Sequence, residues 1–327
     1  MITFYAVVNL AKSEKLLSLS ISIFIFLGSL FSILTFLGTH LILERFLHEG
    51  FQQYKFIYRF LREATPILDF KIKGAEMGFH PNAVAGTLLF FYPLFLFMVE
   101  FHKAKKLFIL KNKIFFYVFF WCTNLLIFII LISSTSLLAL FGLIISLIII
   151  ILIQNRKKTI KYVLVVSIII ALSILILNPS PSLKNDFERK WQKRSPLLLK
   201  GIEIIREKPF TGVGINRFRY SSGVEYYSAH AHNHLIHIAA ELGIQALIAY
   251  LAIMIGTGYM CLKVYWNSDI EWMRTAILGL GGGQLAHFFF GLGDSIPLGA
   301  KPGIIFWISL ALITAIYNYH VQIGSSR

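Results

Sequence analysis

Four histidines fall within eight residues: His230-Ala231-His232-Asn233-His234-Leu235-Ile236-His237. Histidine changes charge near neutral pH, so such a cluster suits proton transfer, metal ligation or a membrane-boundary surface. His234 and His237, three apart, share one face of a helix and could ligate a metal. No Asp, Glu or Cys accompanies them locally, Glu225 and Glu241 being only distant candidates. An interfacial role fits one or two of these residues but hardly four. In the third reading, one imidazole acts as a general base and takes the proton from an attacking hydroxyl. Asn233 would then orient the His232 ring or cap the following helix.

The residues before this cluster supply positive charge. Segment 179–232 carries ten Lys/Arg against five Asp/Glu. It is either a solvated, lipid-facing surface or a cradle for an anionic substrate, with phosphate the obvious candidate. Asn178-Pro179-Ser180-Pro181 stops the preceding apolar run. The periodicity then predicts an amphipathic helix at about 194–206, with Leu198, Ile202 and Ile205 on one face. Pro209 and the Gly212/Gly214 pair end it in a turn. Arg217 and Arg219 follow, either facing an anion or lying in a solvated strand or turn.

What positions these groups is set by composition. Of the 327 residues, 57% are hydrophobic and 14% charged, with 30 Phe. Soluble domains carry about 25% charged residues, and so apolar a chain cannot stay solvated and disordered. Cys122 and Cys261, both inside apolar runs, support neither a disulfide framework nor a thiolate metal site. The chain reads as an all-α polytopic membrane protein. Eight runs are long enough to span: 17–42, 83–101, 114–132, 137–153, 162–178, 235–262, 273–292 and 303–320. The seventh is rich in glycine, which suits close helix packing rather than a phosphate loop.

The formal charge of +15 is unevenly placed. Lys103, Lys105, Lys106, Lys111 and Lys113 fill one short connection, and Arg156, Lys157, Lys158 and Lys161 another, neither with an acid. By the positive-inside rule both connections and both termini are cytoplasmic. Residues 43–80 and 179–232 are then external. The chain divides into an N-terminal membrane part of about five spans (1–178), an external catalytic loop (179–234) and a C-terminal part of about three spans (235–327). The basic and aromatic residues of 43–80 fit an interfacial belt or a sugar-stacking surface.

Several of these pieces, taken in order, resemble a family. His232-Asn233, nine residues, then Gly243 and Ala246 is similar to the His-Asn-x9-Gly-x-x-Gly signature of the bacterial O-antigen ligase and polymerase superfamily, with alanine for the last glycine. Arg194, then Lys208-Pro209-Phe210-Thr211-Gly212-Val213-Gly214 and Phe218, resembles its Arg…Pro-x-x-Gly-x-Gly…Phe stretch. Gly78-Phe79-His80-Pro81-Asn82 resembles the Gly…Pro-Asn element that begins a span. The ending His287…Asp294…Trp307 is compatible with the family.

The resemblance implies a metal-independent, inverting membrane glycosyltransferase of the outer face of the bacterial cytoplasmic membrane, without a cofactor. It would move a glycan from undecaprenyl pyrophosphate to a sugar hydroxyl of a glycan, glycolipid or protein acceptor. His232 maps onto the catalytic histidine and Arg194 onto the loop arginine. Asn233, Arg217, Arg219, His230, His234, His80 and Asn82 are the expected substrate-binding residues. Membrane lipids are expected partners and nucleic acid is not.

Two features depart from the family. Its Ser-Arg-Gly element is matched by Ser134-Thr135-Ser136-Leu137-Leu138-Ala139, with leucine for arginine, and only one span precedes the Pro-Asn element. They leave open a non-catalytic or degenerate protein of surface-polysaccharide assembly or export. A transporter should carry mid-span charges, whereas these spans are almost free of charge, with Glu241 the main exception, which favours an enzyme acting at the surface.

Overall fold

The computed structural model describes residues 2–38, 81–103, 112–134, 136–154, 183–221, 230–295 and 303–325. Among them there is no strand. In chain order the helices are α1 (Ile2–Leu10), α2 (Glu14–Gly38), α3 (Pro81–Leu88), α4 (Tyr92–Leu96), α5 (Met98–Lys103), α6 (Lys113–Ser133) and α7 (Leu137–Gln154). There follow α8 (Leu183–Glu207), α9 (Phe218–Ser221), α10 (His234–Leu242), α11 (Ile244–Asn267), α12 (Glu271–Gly291) and α13 (Gly303–Ser325). Five are long and apolar enough to cross a membrane, at Glu14–Phe36, Ile114–Ser133, Leu137–Gln154, Ile244–Asn267 and Gly303–Ser325. The chain is a multi-pass helical membrane protein.

These five correspond to five of the eight expected spans. The expected span 162–178 and the segment 43–80 lie outside the described residues. The glycine-rich run is α12, a helix buried along most of its length and packed against α4, α7, α11 and α13. Its glycines permit that packing. A Cβ on Gly279 would stand 2.7 Å from the Leu94 Cα, and one on Gly282 would stand 2.5 Å from the Ile150 methyl. Ser146 Oγ donates to the Gly282 carbonyl at 2.6 Å, a bond possible only at such close approach.

Two expectations are corrected here. The run 83–101 is not one continuous helix but three short helices, α3 to α5. Its backbone turns at Leu89–Phe91, and the Phe90 carbonyl fills the place that a Cβ on Gly283 would take. Pro93, which has no N–H to donate, sits in the first turn of the next short helix. The run 235–262 is likewise divided, because Gly243 has φ +86 and separates α10 from α11. A side chain there would strike the Phe210 carbonyl, so only glycine admits both the dihedral and the contact.

The predicted helix at 194–206 is longer, as α8, and is rotated from the expected face. Leu197 and Ile204 are buried while Ile202 is exposed. Gly201 explains the rotation, since its missing Cβ lets the Ile236 side chain of α10 approach to where that atom would be, 2.5 Å away. Leu197, Ile204, Phe218, Ala231 and Ala240 form a small apolar core of their own, separate from that of the membrane helices. This second core fixes α8 on α10, and so fixes Arg194 relative to the histidine cluster.

Candidate active site

Asp294 gathers the candidate residues. It lies just beyond the C-terminal end of α12, its side chain 7% exposed. Its Oδ1 is 3.2 Å from His232 Nδ1 and accepts the Ser295 N–H at 2.9 Å. Its Oδ2 accepts from the Asn82 amide at 3.0 Å and lies 3.5 Å from Arg194 Nη2. One carboxylate thus joins α3, α8, the approach to α10 and the end of α12. Burial on its own would raise the pKa of Asp294. The hydrogen bond to His232, with positive charge at His230, His232 and Arg194, outweighs that and lowers it to about 2. Asp294 is therefore ionised throughout the working pH range.

An ionised acceptor at Nδ1 fixes the neutral tautomer of His232. The proton sits on Nδ1, and Nε2 keeps the lone pair that a base requires. The backbone of His232 is at φ +52, a left-handed conformation uncommon for a residue with a side chain. It is held by what comes next. Asn233 caps α10, its Oδ1 accepting from the Ile236 N–H at 3.0 Å. The same side chain donates from Nδ2 to the Leu292 carbonyl at 2.8 Å, two residues before Asp294. Asn233 thereby ties the His232 backbone to the end of α12.

Arg194 has a second anchor: Nη1 donates to the Gly293 carbonyl at 2.8 Å. With two of its five N–H donors assigned to these groups, the guanidinium can offer others to an anion. In the Ser-Arg-Gly place, Leu137 stands for the arginine and is 45% exposed, while Leu138 stands for the glycine and packs beside the Asp294 turn, its methyl 2.6 Å from where a Cβ on Gly293 would be.

The remaining histidines line the same end. The His230 ring lies edge-on to His232 with centroids 4.5 Å apart, and His230 Nδ1 accepts the His232 N–H at 3.4 Å. His234 points inward, Nδ1 3.3 Å from Ser295 Oγ and its ring edge-on to Tyr250 at 5.1 Å. Burial first, and then the neighbouring His287, His237 and His230, lower its basicity to about 3, so His234 is neutral. His237 Nε2 faces Glu241 at 3.6 Å.

Glu241 serves the basic turn. Its Oε2 accepts the Asn216 N–H at 2.9 Å and its Oε1 the Phe218 N–H at 3.1 Å, bracketing Arg217. Gly214 N–H and Val213 N–H donate to the carbonyls of Glu241 and Ala240. Arg217 is exposed on this turn, and Arg219 donates to the Asn216 side chain. These two arginines therefore stand on a turn of fixed shape, held by Glu241. His80 lies outside the described residues.

Residues 121–251 match the profile of the family described as O-antigen ligase. Over that stretch the chain is similar to the O-antigen ligase family. No curated protein matches it. The O-antigen ligase match holds Arg194, the basic turn and His232, whereas Asn82 and Asp294 lie on either side of it. Sequence reading placed Asp294 only as a compatible ending. One signal could have promoted it: Gly291-Leu292-Gly293-Asp294, an acid right after a long, nearly uncharged run.

The metal question also changes. Nitrogens of His230 and His232 and an oxygen of Asp294 all lie within 4.8 Å of one another, a grouping able to share a metal ion. The acid missing near the cluster in sequence is thus supplied 62 residues later. Arg194 already places positive charge against the same carboxylate.

Proposed function

We propose that the chain transfers a glycan from undecaprenyl pyrophosphate to a sugar hydroxyl, at the outer face of the bacterial cytoplasmic membrane. The observation that carries this reading is the joining of His232 and Arg194 through Asp294, since base and anion-binding cation must act on two ends of one reaction. His232 Nε2 takes the proton of the acceptor hydroxyl as that oxygen attacks the anomeric carbon. The bond from that carbon to the pyrophosphate oxygen breaks, and the carbon inverts. Arg194, with Arg217 and Arg219 on the turn held by Glu241, meets the charge gathering on the departing pyrophosphate. His230, His234 and Asn82 shape the pocket, with His80 preceding Asn82 in the chain, and no cofactor takes part.

Both termini and the two lysine-rich connections lie on the cytoplasmic side, and the catalytic loop 179–234 is external. The acceptor is a lipid core or protein for a ligase and a growing glycan for a polymerase. A purified chain given a defined undecaprenyl-pyrophosphate glycan and an acceptor should form product with EDTA present, and His232→Ala should not. EDTA-sensitive product would assign His230, His232 and Asp294 to a metal instead. No product with any acceptor would favour the degenerate reading, to which Leu137 in the place of the family's arginine also points. A reporter fused after Pro181 that reads cytoplasmic would overturn the topology.

A further inference from the structure

The turn that follows α8 has an outward face that the chemistry above does not use. Phe210 is 72% exposed and Ile215 75% exposed, on either side of the Gly212–Gly214 bend. The backbone around them is firmly placed. The Pro209 carbonyl accepts the Ile244 N–H at 2.7 Å, the first backbone amide of the span α11. The Phe210 carbonyl accepts from the Gln245 side chain, and the Gly214 N–H donates to the Glu241 carbonyl at 2.9 Å. Two large apolar side chains are thus held out at the very end of a membrane helix.

That helix end is itself apolar on its outer side. Ile244 and Ile248 are exposed, Ile248 at 62%, on a helix long and apolar enough to span, and Leu242 is exposed at the end of α10 just before it. The lipid-facing surface of α11 therefore continues across Leu242 onto Phe210 and Ile215. Basic residues border this apolar strip, Lys208 before it and Arg217 after it, both exposed, as is Tyr220. Apolar side chains flanked by cations and an aromatic phenol match the boundary between acyl chains and phosphate headgroups.

We infer that the turn 208–217 is seated in the lipid headgroup boundary of the leaflet at this end of α11, with Phe210 and Ile215 among the upper acyl carbons. Lys208 then reaches back to lipid phosphates. The seat fixes the height of the basic turn relative to the bilayer, which matters for any ligand presented from the membrane. It needs neither a particular sidedness nor a particular activity.

The test uses the full chain in vesicles of phosphatidylethanolamine and phosphatidylglycerol, with Cys122 and Cys261 replaced by alanine. Nitroxides are placed at Phe210→Cys and Ile215→Cys, with Ile248→Cys as the hydrocarbon reference. Both new sites should collide with oxygen more readily than with a water-soluble nickel chelate, at a depth of about 5–10 Å. Nickel access equal to that of a free nitroxide in buffer would place the turn in water and overturn the inference. Exclusion of both probes with an immobilised label would mean that a protein covers the strip, and would overturn it equally. Should the cysteine-free chain fail to fold, the wild-type chain can be labelled by a phospholipid carrying a diazirine near its headgroup. Adducts on the peptide holding Phe210 and Ile215 support the seat; adducts on α11 without them sink it.

Discussion

Two buried carboxylates lie within the same region and do different work. Asp294 is met by side chains that carry chemistry: an imidazole, a guanidinium and an amide from three separate segments. Glu241 is met mainly by backbone N–H groups of one turn, with His237 beside it. A carboxylate satisfied by backbone amides fixes a loop, because those donors have no other task. A carboxylate that shares itself between a base and a cation sets their tautomer, charge and spacing. The comparison teaches that burial of an acid does not mark a catalytic site; the identity of its partners does.

The largest effect that can break this contrast is at the base itself. His232→Ala should lower glycan transfer by about 10²–10⁴-fold, the range for a lost general base, while the protein still purifies as a folded species. Full activity in that variant would remove Asp294's claim to a catalytic partner. Asp294→Asn should cost less, about tenfold to a hundredfold, because Oδ1 can still accept from His232 while the negative charge is gone. Its pH–rate profile should also shift, which a merely structural residue would not cause.

Glu241 should behave in the opposite way. Glu241→Ala strands the N–H of buried Phe218 and should destabilise the fold by about 1–3 kcal/mol, read as a lower midpoint in detergent thermal melts. Glu241→Gln, which keeps an acceptor, should recover much of that stability. If Gln restores stability but activity stays low, the division between the two acids is wrong.

The smallest expected effect is on pH dependence. His234 stays neutral when folded down to about pH 3, but in the unfolded chain it takes a proton near its ordinary value of 6.5. Acid therefore favours unfolding: the stability tied to neutral His234 is fully present above 6.5 and is lost as pH falls toward 3. Melts between pH 7 and 5 should show a falling midpoint, and His234→Gln should flatten that slope. An unchanged slope would mean that His234 is not buried as the fold places it.

Sequence by itself determined the solvent and much of the local structure. Long apolar runs with so few charges require a membrane, and the five helices that meet the length and hydropathy of a span all fall on runs visible in the sequence. The Pro and Gly residues marked the end of α8 and the turn after it, because missing donors and missing Cβ atoms act over a few residues. His232 and Arg194 were legible from residue type, spacing and resemblance.

What only the tertiary structure decided depends on distance along the chain. Hydropathy saw runs 83–101 and 235–262 as continuous, and could not register that Phe90 presses on Gly283 or Phe210 on Gly243. It could not rotate α8 so that Gly201 faces Ile236. Above all, it could not bring Asp294 to His232 and Arg194, 62 and 100 residues away in sequence. Helical periodicity and turn chemistry report on neighbours, whereas a shared carboxylate is placed by the packing of whole helices.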